Sequence, residues 1–209
     1  KDKPILIAAG ASSITDVENA MDILLAENKP SDICLMQCNT NYEGSISHAK
    51  YQNLNVLTAL KHMYPEIVLG LSCHMPGWTS VLGSVALGAR IVEKHFTDDR
   101  SRQGPDHSFA INPVEWKNMV AETRILEAML GDGIKKVEDN EKKTIIVQQR
   151  CLRTKCDLYP GDVISEDMVE SLRPCPSDSI KPSGLNSILN KTITKPLKYG
   201  EHFTASHFS

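Results

Sequence analysis

Apolar residues along the first two thirds of the chain fall into strand-length runs separated by amphipathic stretches. Residues 4–9, 33–38, 67–72 and 91–95 are such runs, and residues 16–27, 53–63, 79–87 and 113–130 carry apolar side chains at helical spacing. Thr15 followed by Glu18 predicts a capping box at the first helix, while Pro113 at the start and Gly131 and Gly133 past the end delimit the fourth. Alternating strands and helices predict parallel strands joined by crossovers, an α/β fold. Four such units make half of an eight-stranded barrel, and an open half would expose strand edges and favour pairing or aggregation.

After a polar linker over residues 132–143 the pattern changes to short β-leaning segments broken by Pro and Gly. The domains are therefore expected at 1–131 and 144–209. The second contains a weak repeat, residues 158–169 against 197–208, in which Gly161 or Gly200 sits in a turn and Ser165 or Thr204 starts one helical turn. Two related halves predict a small pseudo-symmetric β-clip. At about 65 residues it is at the margin of independent folding and is expected to dock on another surface.

Candidate chemistry gathers at the carboxyl ends of the strands, the rim where parallel α/β sheets bind ligands. His74 ends the third run and His95 the fourth, and two neutral imidazoles there suit a divalent ion acting as a Lewis acid. Two histidines alone are a weak motif, and a hydrogen bond to a loop explains each as well. Asp106 lies in the polar loop after His95, either as an acid/base or metal-shell carboxylate or as a turn residue after Gly104-Pro105. Ser12, Ser13 and Ser72 have the hydroxyls to bind an anion, although capping explains Ser12 or Ser13 equally well. Asn39, Thr40, Asn41 and Tyr42, after the second run, suit a polyol or an ordinary turn. Lys94, on the opposite face from His95 by alternation, is read as structural support with Glu93 or another segment as partner. His48, His62, His107, His202 and His207 are read individually as surface or loop residues.

A net charge of −3 over 209 residues gives no basic field of the kind nucleic acid requires. No apolar stretch reaches the length of a membrane span, and the first residues carry no signal-peptide pattern, so a soluble cytoplasmic protein is expected. Six scattered cysteines, with Cys34, Cys38 and Cys73 in apolar runs, read as reduced thiols. Cys151 and Cys156 make only a weak metal signal.

Together Gly70-Leu-Ser72-Cys-His74, Glu93-Lys-His95-Phe-Thr97 and Gly104-Pro-Asp-His107, followed by the β-clip tail, resemble the sialic acid synthase family. The resemblance spans essentially the whole chain. It implies the second half of a TIM (β/α)8 barrel followed by a small β-clip SAF (antifreeze-like) domain, the first half of the barrel being absent from this chain. The implied activity is condensation of phosphoenolpyruvate with N-acetylmannosamine or a related N-acetylated amino sugar, with release of phosphate. It implies Mn²⁺ or Mg²⁺ held by His74 and His95, phosphoenolpyruvate contacts at Ser13 and Ser72, and Asp106 near both metal and sugar. It also implies a domain-swapped homodimer in which Arg173 reaches the sugar's N-acetyl group. Cys73, where the family often has Asp, and Glu43 after Tyr42, where it often has Pro, depart from the pattern and leave the sugar and the metal preference open. Half a barrel alone is expected to be inactive unless another chain supplies the remaining strands. Two other readings stand beside the synthase: a noncatalytic carbohydrate-binding or assembly module, and a metal-dependent aldolase with no need for phosphoenolpyruvate.

Overall fold

The computed structural model describes residues 3–208, which divide into two compact units with the boundary between Gly133 and Ile134. In the first, β1 (Ile5–Ala8), β2 (Ile33–Cys38), β3 (Val68–Cys73) and β4 (Ile91–Lys94) pair in parallel in that order. They are connected through α1 (Ile14–Glu27), α2 (Val56–Met63) and α3 (Thr79–Ala86), and α4 (Pro113–Leu130) follows β4. The result is a curled parallel half-barrel of β/α units.

One face of the sheet is covered by helices. Val17 and Met21 of α1 and Leu57 and Leu60 of α2 pack on Ile33, Leu35 and Leu69, while Val81 of α3 and Met119 of α4 pack on Leu71 and Cys73. Strand alternation turns Cys34, Met36, Gly70 and Ser72 to the other face. Central β2 is buried along its whole length, its one polar residue, Gln37, donating to the Gln52 carbonyl at 3.0 Å, whereas β1 leaves Leu6 48% exposed at the sheet edge.

Gly70 shows how tightly the inner face is filled. A Cβ there would lie 2.5 Å from Met36 Cγ, 2.9 Å from Cys34 Sγ and 2.9 Å from the Ile91 carbonyl oxygen. Gly70→Ala is therefore expected to destabilise the unit by about 1–3 kcal/mol through overpacking, read from urea unfolding midpoints. An unchanged midpoint would show that the inner face has slack.

Several boundaries differ from the sequence expectation. The cap of α1 is Ser13 with Asp16, not Thr15 with Glu18. Ala11 takes a left-handed φ of 52° in the turn after β1, and Ser13 then has the extended backbone a cap needs, so Thr15 is already inside the helix. Asn53 has φ 42°, which is not helical, and α2 starts three residues later at Val56. Between β2 and α2, residues Ile46–Tyr51 form a 3₁₀ helix. β4 stops at Lys94, although the Ile111 N–H still donates to the His95 carbonyl at 3.0 Å.

In the second unit α5 (Ile145–Gln148) precedes an antiparallel pair, β5 (Cys151–Thr154) and β6 (Val169–Leu172). The repeat is a structural one. Leu158 and Leu197 exchange backbone hydrogen bonds of 2.8 and 3.0 Å, Gly161 and Gly200 both have positive φ, and Glu166–Met168 and Ala205–His207 are matching 3₁₀ turns. Equivalent residues Ile164 and Phe203 meet in one core with Leu152, Ile188 and Ile193. Ser165 adopts a cap backbone without a side-chain capping bond, while the Thr204 N–H donates to His207 Nδ1 at 3.0 Å. This is the small pseudo-symmetric β-clip that the repeat predicts.

Candidate active site

His74 and His95 each sit one residue beyond a strand, and the strand register brings them together. Ser72 is opposite Glu93 in the β3–β4 ladder, so their side chains share the inner face and Ser72 Oγ donates to Glu93 Oε1 at 2.8 Å. Two residues further along, the imidazoles of His74 and His95 lie with ring centroids 5.1 Å apart. Tyr42 packs against both, 4.3 Å from His74 and 5.8 Å from His95, and Phe109 lies 5.0 Å from His95.

Each imidazole is held through Nδ1. His74 Nδ1 is 2.9 Å from the Asn39 carbonyl oxygen, which can only accept, so the proton of the neutral ring sits on Nδ1 and Nε2 keeps its lone pair. Burial pushes the His74 pKa below its ordinary value, with the Asn39 hydrogen bond opposing, and favours this neutral form. His95 Nδ1 lies 3.3 Å from Asp106 Oδ2, an arrangement that orients the ring in the same way. In each ring Nε2 is thus the nitrogen that could hold a metal ion. Among the described residues no group of three or more His, Cys, Asp or Glu converges on one point, so the protein set offered here is two imidazoles. Two imidazole nitrogens are chemically suited to a divalent ion.

Other candidates fall into distinct places. Ser13 and Asn39 line a cavity of about 440 Å³ over the ends of β1 and β2, between α1 and α2. Ser13 Oγ donates to Asp16 Oδ2 at 2.6 Å and accepts from the Asp16 N–H, which is its capping role. Asn39 Nδ2 donates to the Tyr51 carbonyl at 3.3 Å, but Asn39 Oδ1 is buried without a partner. Arg173 belongs to the second unit, where its Nε donates to the Gln148 carbonyl at 2.6 Å. Lys94 does not pair with Glu93. Alternation points it to the helix side, where Nζ donates to the Met75 carbonyl and to Cys73 Sγ. Two neighbours were missed from sequence. Glu93 is legible as an i, i+2 partner of His95, whereas His107, although it ends the Gly104-Pro-Asp-His107 motif, carries no spacing that foretells its 2.7 Å hydrogen bond between Nδ1 and Thr97 Oγ1.

Residues 1–135 match the model of the NeuB family, and residues 149–209 match that of the SAF domain. The chain is 32% identical over 201 residues to N,N'-diacetyllegionaminic acid synthase of Campylobacter jejuni, covering 96% of this chain and 58% of the relative. In structure it is similar to the N-acetylneuraminic acid (sialic acid) synthetase of Leptospira borgpetersenii, with a TM-score of 0.60 and 32% identity over 68% of this chain and 48% of that one. It is also similar to the spore coat polysaccharide biosynthesis protein spsE of Bacillus subtilis, with a TM-score of 0.55 and 27% identity over 99% of this chain and 61% of that one. The chain thus spans roughly half the length of the relatives it matches. No helix among the described residues is long and apolar enough to cross a membrane.

Proposed function

The chain belongs to the NeuB family, and from that premise we propose that it carries part of the active site of a nonulosonic acid synthase. In the proposed reaction C3 of phosphoenolpyruvate adds to the aldehyde carbon of N-acetylmannosamine or a related N-acetylated amino sugar, water adds at C2, and phosphate leaves. The observation that supports this most is the pair of imidazoles anchored through Nδ1 by Asn39 and Asp106. A divalent ion such as Mn²⁺ or Mg²⁺, held by His74 and His95, would supply Lewis acidity at the aldehyde oxygen.

The chain's own groups have complementary tasks in this proposal. The Asn39 carbonyl and the Asp106 carboxylate keep the ring protons on Nδ1 and so hold both imidazoles in the donor tautomer. Tyr42 and Phe109 pack beside the rings and limit their reorientation. The orphan Asn39 Oδ1 needs a donor, which a sugar hydroxyl or amide N–H supplies. Ser13 and Ser72, whose hydroxyls now point to Asp16 and Glu93, turn to donate to phosphoenolpyruvate. Arg173, with its Nε tied to Gln148, keeps its terminal N–H groups for the sugar's N-acetyl carbonyl in a domain-swapped homodimer.

The test is phosphate release by the complete protein with Mn²⁺ and N-acetylmannosamine, with and without phosphoenolpyruvate. Release that requires both substrates is expected, and a polypeptide of these 209 residues alone is expected to show none. Sugar binding without turnover on any N-acetylated amino sugar would instead indicate a binding module. Condensation without phosphoenolpyruvate would indicate an aldolase.

A further inference from the structure

Lys94 is 8% exposed, and a buried ammonium is costly unless it is bonded on several sides. Its Nζ reaches the carbonyl of Met75 and lies 3.5 Å from Cys73 Sγ. Those two residues flank His74, and Lys94 itself precedes His95. One side chain on the helix face therefore grips the chain on both sides of one imidazole and is covalently next to the other.

The placement matters because Cys73 and Lys94 are the last register partners of the β3–β4 ladder. Both imidazoles lie one step beyond it, where the ladder no longer sets their spacing. The Lys94 bond to Met75 carries the connection between the strands two residues past Cys73, behind the site. Cys73 adds a second contact to the ammonium and is itself 3.0 Å from Ser80 Oγ at the start of α3.

We propose that Lys94 is a positioning residue that sets the separation of His74 and His95 from behind the sheet. The inference rests on the reading of these two histidines as a metal-holding pair. Cys73 tunes the clamp, because a thiol accepts from an ammonium more weakly than a carboxylate does.

The test uses the complete protein, with Mn²⁺ affinity from electron paramagnetic resonance and metal-free histidine ring signals from imidazole ¹⁵N spectra. Lys94→Met, which keeps an apolar stem and removes the donor, is expected to weaken Mn²⁺ binding about 10–100-fold and to shift the His74 and His95 ring signals. Cys73→Ala is expected to weaken binding in the same direction, and Cys73→Asp to match or exceed the wild type. Lys94→Met with wild-type Mn²⁺ affinity and unchanged ring signals, even with a lowered melting temperature, would overturn the proposal. Should Lys94→Met not fold, the Cys73 pair decides, and equal affinities for Ala and Asp overturn it. If His74→Ala leaves Mn²⁺ binding unchanged, it is the metal reading that fails. The metal-free ring signals of the Lys94 and Cys73 variants then decide the clamp alone.

Discussion

His74→Ala and His95→Ala are each expected to lower phosphoenolpyruvate-dependent phosphate release by on the order of 10³-fold, since Lewis-acid stabilisation is worth several kcal/mol and about 1.4 kcal/mol is a factor of ten. Both rings present Nε2 from the same rim with their Nδ1 protons already directed elsewhere. Neither ring can replace the other, because each is fixed to a different anchor. Asp106→Asn removes the carboxylate's charge but keeps an acceptor near His95 Nδ1, so a milder loss of about 10–100-fold is expected. Steady-state phosphate release, with circular dichroism to verify folding, checks this ranking. Either alanine variant turning over at the wild-type rate would remove the metal pair from the mechanism.

Phe203→Ala is expected to destabilise the second unit by about 3–5 kcal/mol. Phe203 is fully buried, touches the core built from both halves of the repeat, and stacks on Phe208 with centroids 5.9 Å apart. Its backbone also joins the repeat to β5, accepting from the Ile180 N–H and donating to the Leu152 carbonyl. A folded domain has only about 0.05–0.15 kcal/mol of stability per residue, so a unit of this size loses a large share. Urea unfolding followed by near-ultraviolet circular dichroism of the isolated second unit reads the effect directly. A change below about 1 kcal/mol would mean that the two halves do not share a core.

Elements with a strong local pattern were legible from the residues. β2 has the bounds its largely apolar run predicts, and α4 runs from Pro113 to Leu130 because Pro presets the first turn and Gly131 can take the positive φ that ends it. The sialic acid synthase resemblance rested on short motifs at the strand ends, and the family match carries the same assignment. The start of α1 was less legible, because Ser13–Asp16 and Thr15–Glu18 are equivalent as strings and only the path of the chain out of β1 chooses between them.

The candidate site divides in the same way. Apolar periodicity and side-chain alternation, both properties of the local backbone, placed His74 and His95 on one rim and Lys94 on the other face. The approach of the Tyr42 ring to both imidazoles, the Asn39 carbonyl at His74 and the return of Asp106 to His95 join residues 11 to 53 positions apart in sequence. No periodicity encodes such contacts. They follow from the strand register and from where each loop closes, which packing of the whole sheet against its helices decides.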